Sequence, residues 1–244
     1  MIRYTYWNSG CNGIVIGVSG GVDSAVASVF CCRAIGPDKV LGLSLPSAVS
    51  SGKDCEDAAA LCASLGMEHR IISIEPMLAG YRQLPGFPAS PYLLGNLMAR
   101  IRMTVLYYYA NQDNRLVCGT SNRSEYMLGY CTKFGDNAAD IQPILHLYKS
   151  DVYVMAGELG IPEPIIKKTP SAGLWEGQSD EKEIGLSYTQ IDTALRALEG
   201  RNWEPKGSIE EKVLAMVKKS RHKRMGAPSL LAESQRPSGT APGN

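Results

Sequence analysis

Short apolar runs alternate along the chain with longer stretches of helical period. Ile14-Val15-Ile16, Val40-Leu41-Gly42-Leu43-Ser44-Leu45, His69-Arg70-Ile71-Ile72-Ser73-Ile74 and Leu116-Val117-Cys118-Gly119 read as four strands. The first leads into Ala25-Val26-Ala27-Ser28-Val29-Phe30, the opening turns of a helix. After the second, Ala58, Leu61, Cys62 and Leu65 share a helical face that stops at Gly66. A helix from Gly95 to Ala110 carries Leu97, Ile101, Val105 and Tyr108 on one side, and others are expected over Lys149–Leu159, Tyr188–Leu198 and Ile209–Ser220. Strands and helices alternate with gaps too long for hairpins. The fold class is therefore α/β, a doubly wound parallel sheet with helices on both faces.

The remaining stretches lack a period. Residues 1–12, with Tyr4, Tyr6 and Trp7, read as packing ahead of the first strand. Tyr81 to Tyr92, which holds Pro85, Gly86, Pro88 and Pro91, reads as a loop. Pro170 to Asp180 reads as a mobile loop. From Gly226 the chain is rich in Pro, Gly and Ser, so residues 1–225 are expected to form a single domain and 226–244 a disordered tail.

Composition narrows the function classes. A net charge of +1 supplies no field to recruit nucleic acid or a membrane surface. No stretch approaches the roughly 20 apolar residues of a membrane span, and Arg3, Tyr4, Tyr6, Trp7 and Asn8 interrupt any signal-peptide core. Seven cysteines (Cys11, Cys31, Cys32, Cys55, Cys62, Cys118 and Cys131) form no CxxC, which suits reduced thiols and a cytoplasmic location.

The candidate chemistry centres on Gly17-Val18-Ser19-Gly20-Gly21-Val22-Asp23-Ser24. A glycine-rich turn between a strand and a helix N-terminus presents free N–H groups and a positive dipole end to a phosphate. Ser19 and Ser24 add hydroxyls. A carboxylate beside a phosphate repels it unless a cation intervenes, so Asp23 reads as a Mg²⁺ ligand. No Lys follows the second glycine, so this is not the Walker pattern. It resembles instead the pyrophosphate loop of the ATP pyrophosphatases.

Gly119-Thr120-Ser121-Asn122-Arg123-Ser124-Glu125 follows the fourth strand, and ligands of parallel sheets bind at that edge. Glu125 could complete a Mg²⁺ site with Asp23. From the residues alone, a helix N-terminus capped by Ser121 or Asn122 fits equally well.

Seven strings in order, SGGVDS, GNLMARIRM, GTSNRSE, GYCTKFGD, PILHLYKSDV, PSAGLWEGQSDE and RHKR, resemble the ammonia-dependent NAD synthetases from about Gly13 to Arg224. The resemblance implies an adenine nucleotide alpha hydrolase-like, Rossmann-like fold. It also implies a cytoplasmic homodimeric ligase of NAD biosynthesis. Such an enzyme converts deamido-NAD, ATP and ammonia to NAD, AMP and PPi through a deamido-NAD adenylate. No fused glutaminase module fits the remaining length, so free ammonia is the expected nitrogen source, with a separate glutaminase chain as the alternative. The readings to set against it are another amide-forming ATP pyrophosphatase and a non-catalytic nucleotide sensor.

Carried over residue by residue, the resemblance gives Gly17, Val18, Ser19, Gly20, Gly21, Val22, Asp23, Ser24, Thr120, Lys149 and Ser171 to ATP. Among these, Asp23, Lys149 and Ser171 are the implied catalytic set, and Asp23 with Glu125 the implied Mg²⁺ ligands. Arg100, Lys133, Asp140, His222 and Lys223 fall to deamido-NAD. Arg102 competes with Arg100, because only one of two residues two apart faces a given side of a helix, and Asp136 competes with Asp140. His69 and His146 read as structural. Trp175 and Glu176 sit in the loop that would order over the site and exclude water from the adenylate. The chain departs from the family in its short N-terminal segment, where relatives begin with a full helix, and in Arg123, where Lys is common.

Overall fold

The computed structural model describes residues 1–87, 90–175 and 177–227. Most of the expected tail, together with Pro88 and Glu176, lies outside the described residues. Four strands, β1 (Gly13–Gly17), β2 (Val40–Ser44), β3 (Glu68–Ile71) and β4 (Arg115–Cys118), form one parallel sheet in the order β3-β2-β1-β4. β2 is buried end to end and β1 up to Gly17, as strands covered by helices on both faces must be.

The helices are α1 (Ile2–Ser9), α2 (Val22–Ile35), α3 (Gly52–Leu65), α4 (Glu75–Tyr81), α5 (Pro91–Asp113), α6 (Arg123–Leu128) and α7 (Lys149–Glu158), followed by α8 (Glu163–Ile166), α9 (Asp180–Ile184), α10 (Tyr188–Glu199), α11 (Ser208–Lys219) and α12 (Arg221–Arg224). One face of the sheet packs against α2, α3 and α7 around Ile14, Ile16, Val26 and Val152. The other packs against α4 and α5 around Val15, Leu41, Leu43, Met98 and Ile101. Alternate residues of β1 thus serve opposite cores, as period-two geometry requires. A third cluster, built on Ile191, Leu195, Leu198 and Val213, joins α10 and α11 to Leu128 of α6.

Three elements differ from the sequence expectation. Residues 2–9 form a helix, α1, held to α2 by Arg3 Nε–H donating to Ala34 O at 2.8 Å. The third strand is regular only to Ile71. Beyond it, Ile72 and Ile74 still donate to Ser44 O and Pro46 O at 2.9 Å each, but Pro46 has no N–H to return and the chain turns into α4. The third difference is the start of α5, which begins at Pro91 inside the expected loop. Ser90 Oγ caps the helix by accepting from Leu93 N–H at 3.2 Å, and Pro91 occupies the first helical position, where its missing N–H costs nothing.

The order of the sheet reverses between β1 and β4, whose carboxyl ends are Gly17 and Cys118. Cys118 also bridges to Ile141, and Gly119 N–H donates to Ile141 O at 2.8 Å. The segment after α6 is thereby drawn to the same edge. Ligands of doubly wound sheets bind in the crevice at such a reversal.

Candidate active site

A cleft of about 920 Å³ opens at that reversal and is lined from both sides of it. One side of the cleft is the glycine-rich turn from Gly17 to Ser24, the expected phosphate loop. Gly20 adopts a φ of +76°, and a Cβ placed there would lie 2.4 Å from Asp54 O, so conformation and space both demand glycine. Ser24 Oγ–H donates to Gly21 O at 2.9 Å, and the Ser19 N–H and hydroxyl meet Ser24 Oγ at 3.3 and 3.2 Å. Ser24, 3% exposed, therefore clips the turn together and does not face the cleft as a donor. Val18 also differs from its expected part. Its side chain is in the core and its N–H donates to Leu43 O at 2.9 Å, so it has nothing to offer a phosphate. The N–H groups left over are that of Gly20 and those in the first turn of α2, at Val22, Asp23 and Ser24.

Asp23 and Glu125, from opposite sides of the reversal, share one ammonium. Lys149 Nζ lies 2.5 Å from Asp23 Oδ2 and 3.3 Å from Glu125 Oε1, and its side chain is only 3% exposed. Lys149 is placed by its position as the first residue of α7. Its backbone N–H donates to Ser124 Oγ at 2.9 Å, and Asp192 holds both Ser124 and the neighbouring Ser150 N–H. Glu125 is the third helical residue of α6, and its N–H donates to the capping Asn122 Oδ1 at 3.0 Å. The helix cap and the carboxylate site, which compete on sequence grounds, are one arrangement.

Charge in the cleft is unbalanced. Burial raises Glu125 to about 8, with Asp23 and Asp180 adding to the rise against the pull of Lys149. Burial raises Asp180 as well. Burial alone would lower Lys149, but the Asp23 and Glu125 carboxylates outweigh it and keep it protonated. Three carboxylates face one lysine.

Four of the five residues expected at deamido-NAD gather in one hydrogen-bonded cluster. Arg100 donates to Lys133 O at 3.2 Å, Lys133 Nζ donates to His222 O at 2.6 Å, and Lys223 Nζ donates to Gly129 O and Cys131 O at 2.8 and 2.6 Å. Lys223 lines the cleft, whereas Arg100 and His222 are exposed beside it. Asp140 stands apart: Val117 N–H donates to its Oδ2 at 2.7 Å and Tyr107 OH approaches its Oδ1 at 3.3 Å. Asp136, its competitor, lines the cleft, as does Arg102, the competitor of Arg100. Thr120, Ser171 and Trp175 also line it. His69 Nε2 meets Ser44 Oγ at 2.9 Å, a structural pairing, and His146 is exposed away from the cleft.

The structure adds residues that the sequence left unmarked. Asn122, fully buried, donates through Nδ2 to Asp23 Oδ1 at 2.9 Å and so ties the two carboxylate-bearing turns together. Lys168 Nζ reaches Gly20 O at 2.8 Å, Asp54 Oδ1 at 2.6 Å and Asp57 Oδ2 at 2.9 Å. At the other end of the loop, Asp180 N–H donates to Pro170 O at 3.1 Å while its carboxylate accepts from Ala172 N–H and Tyr188 OH at 3.0 and 3.1 Å. Both feet of the Pro170–Asp180 loop are thereby pinned at the cleft. A Lys or Asp acting through a single long-range contact leaves no spacing signal. Only Asn122 had one, its capping position three residues before Glu125.

Comparison with known proteins gives a consistent picture. The family described as NAD synthase matches residues 1–227. A relative from Methanoregula boonei named NH(3)-dependent NAD(+) synthetase is 68% identical over 95% of this chain and 94% of its own. Among solved structures, an NMN synthetase from Francisella tularensis superposes with a TM-score of 0.83 at 39% identity, covering 93% of each chain. An NH3-dependent NAD synthetase from Campylobacter jejuni does so at 0.80 and 37%, covering 94% of each.

Proposed function

The chain belongs to the NAD synthase family, and from that premise we propose that it is an ammonia-dependent NAD synthetase, an ATP-consuming carbon–nitrogen ligase that amidates deamido-NAD. The observation that carries this reading is the meeting of Asp23, Glu125 and Lys149 over a phosphate loop in one cleft. A nicotinate carboxylate is inert to ammonia because oxide is a poor leaving group. An oxygen of that carboxylate attacks the α-phosphorus of ATP, the bond from phosphorus to the bridging oxygen breaks, and PPi departs with the electron pair. Ammonia then attacks the acyl carbon of the adenylate, AMP leaves, and a proton is lost from nitrogen.

Each group has a part that its position supports. The free N–H groups of α2 hold the departing PPi. Lys149, buried and protonated, offsets the charge gathering on the phosphates. Asp23 and Glu125 suit Mg²⁺. They are hard oxygen donors, and burial together with the neighbouring Asp23 and Asp180 pushes Glu125 up, a rise that a bound cation would relieve. Among the described residues no group of three or more His, Cys, Asp or Glu could hold a metal ion, so these two carboxylates would hold Mg²⁺ together with ligands from outside the chain. Bound there, Mg²⁺ would neutralise the β- and γ-phosphates and improve PPi as a leaving group. Ser171 and Thr120 contact ATP from the rim, while Arg100, Lys133, His222 and Lys223 hold deamido-NAD. Asp140, whose carboxylate supports β4 and Tyr107, acts by holding that strand in place. Domain limits of 1–225, a cytoplasmic location and a homodimer complete the proposal. Among the described residues, no helix is long and apolar enough to cross a membrane.

The test is to incubate the purified protein with ATP, Mg²⁺, deamido-NAD and ammonium, then quantify NAD, AMP and PPi. Stoichiometric products are expected with ammonium, and none with glutamine alone. Because the Francisella tularensis relative is titled an NMN synthetase, nicotinate mononucleotide is run as a competing acceptor. Preference for the mononucleotide would overturn the choice of dinucleotide, and absence of AMP with every acceptor would overturn the activity.

A further inference from the structure

Arg102 is a half-buried cation with no use in the arrangement described so far. Its Nε–H donates to Leu45 O at 3.0 Å, and it lines the cleft. Among the described residues no carboxylate lies within 4.0 Å of it, whereas Arg70, Arg82, Arg115, Arg123, Arg196 and Arg201 each have one. Asp136 acts on its charge only from farther away. A guanidinium partly withdrawn from water without a close counter-ion is costly, and among the described residues the remaining donors of its fork have no hydrogen-bond partner.

Its position identifies the anion. Arg102 lies one helical turn before Leu106 on the same face of α5, and the Leu106 side chain is within 3.7 Å of where a Cβ on Gly17 would stand. The guanidinium therefore sits over the carboxyl edge of β1 and β2, at the start of the phosphate loop. It stands on the sheet face that α5 covers, opposite the face carrying α2, α7 and Lys149. Leu45 is on the β2 side of it and Asp136 on the wall that gathers Lys133 and Lys223. That is the junction between the two nucleotide sites. Resting on the amidation reading above, we propose that Arg102 contacts the reacting carboxylate and the α-phosphate where they meet. Lys149 stands on the other flank. Two anions must be pressed together for the oxygen–phosphorus bond to form while the bond to PPi breaks, and a fixed forked donor between them lowers that repulsion most in the transition state.

The experiment is deamido-NAD-dependent exchange of labelled PPi into ATP without ammonium, which reads adenylation alone, alongside the ATP-induced shift in Tm. Arg102→Met should lose exchange by about 100-fold while keeping most of the ATP-induced shift, the signature of an interaction made in the transition state. Arg102→Lys should recover part of the exchange, and it carries the test should Arg102→Met fail to fold. Exchange within about threefold of wild type, or a loss explained wholly by weaker ATP binding, overturns the proposal. If the unmodified chain shows no deamido-NAD-dependent exchange, the functional reading itself fails, and this inference with it.

Discussion

Asn122 and Asp23 meet across the reversal of the sheet, the amide Nδ2–H donating to Oδ1 at 2.9 Å, and through that bond the two halves of the fold are locked in register at the cleft. The same side chain caps α6 by accepting from Glu125 N–H. One buried amide sets the separation of the two carboxylates. Asn122→Ala leaves a buried carboxylate oxygen and a helix N–H without partners, at a cost of about 2–4 kcal/mol of stability. Asn122→Asp keeps the cap but sets a second negative charge against Asp23. Thermal unfolding should separate the two effects: Asn122→Ala is the less stable, whereas both lower kcat/KM for ATP.

Lys149 is the counter-charge of Asp23 and lies against Glu125, whose carboxyl burial raises to about 8. Lys149→Met should remove activity and destabilise the ligand-free chain by about 3–5 kcal/mol, because it strands buried charge. Urea titration measures this directly. Lys149→Arg should fold better than Lys149→Met and remain poorly active, since a planar fork does not replace a point charge held 2.5 Å from Asp23.

The loop over the cleft is seated by a glycine. A Cβ on Gly95 would lie 2.9 Å from the Leu174 Cβ, so Gly95→Ala should push the loop outward. Because the clash is with the Leu174 side chain from its Cβ outward, Gly95→Ala/Leu174→Gly should recover part of the activity that Gly95→Ala loses. The double-mutant cycle is expected to show coupling of about 1 kcal/mol or more in kcat/KM. Additive losses would mean that the two residues act separately.

His69 gives a pH dependence of known sign. Burial holds its imidazole below the usual 6.5 in the folded chain. As pH falls through 6.5, the unfolded chain takes up a proton that the native chain resists, so stability is lost from 6.5 down to the depressed native value. The difference in Tm between wild type and His69→Gln, measured from pH 7.5 to 5.5, should shrink with acidity. Carboxylate titrations common to both proteins cancel in that difference.

The strand and helix positions were legible because β1, β2 and β4 are continuous apolar runs and α10 and α11 have strong amphipathic periods. What was illegible had local causes. Pro91 reads as a breaker from sequence, yet in the first position of a capped helix it is favourable. α1 has no buried residue to mark a face, and its anchor is an arginine reaching a carbonyl 31 positions away. The site divides the same way. Gly20, Gly21, Asp23, Glu125 and Lys149 stand in strings that carry the family resemblance, so they could be named before they were seen together. Lys168 and Asp180 act through contacts with distant segments, and the choice between Arg100 and Arg102 needed the facing of α5. Val18 stood in the right string, but the sheet had already taken its N–H, and the turn had taken the hydroxyl of Ser24 while leaving its backbone N–H free.

The central claim is that this cleft joins a carboxylate to the α-phosphate of ATP before ammonia attacks. Deamido-NAD labelled with ¹⁸O in the nicotinate carboxylate tests it in one turnover. The bond to phosphorus is made by a carboxylate oxygen, and ammonia later breaks the bond on the acyl side. The AMP released should therefore carry one ¹⁸O, with none in PPi, as read by mass spectrometry. AMP free of label, or label appearing in PPi, would contradict the adenylate and with it the roles assigned to the phosphate loop, Lys149 and Arg102.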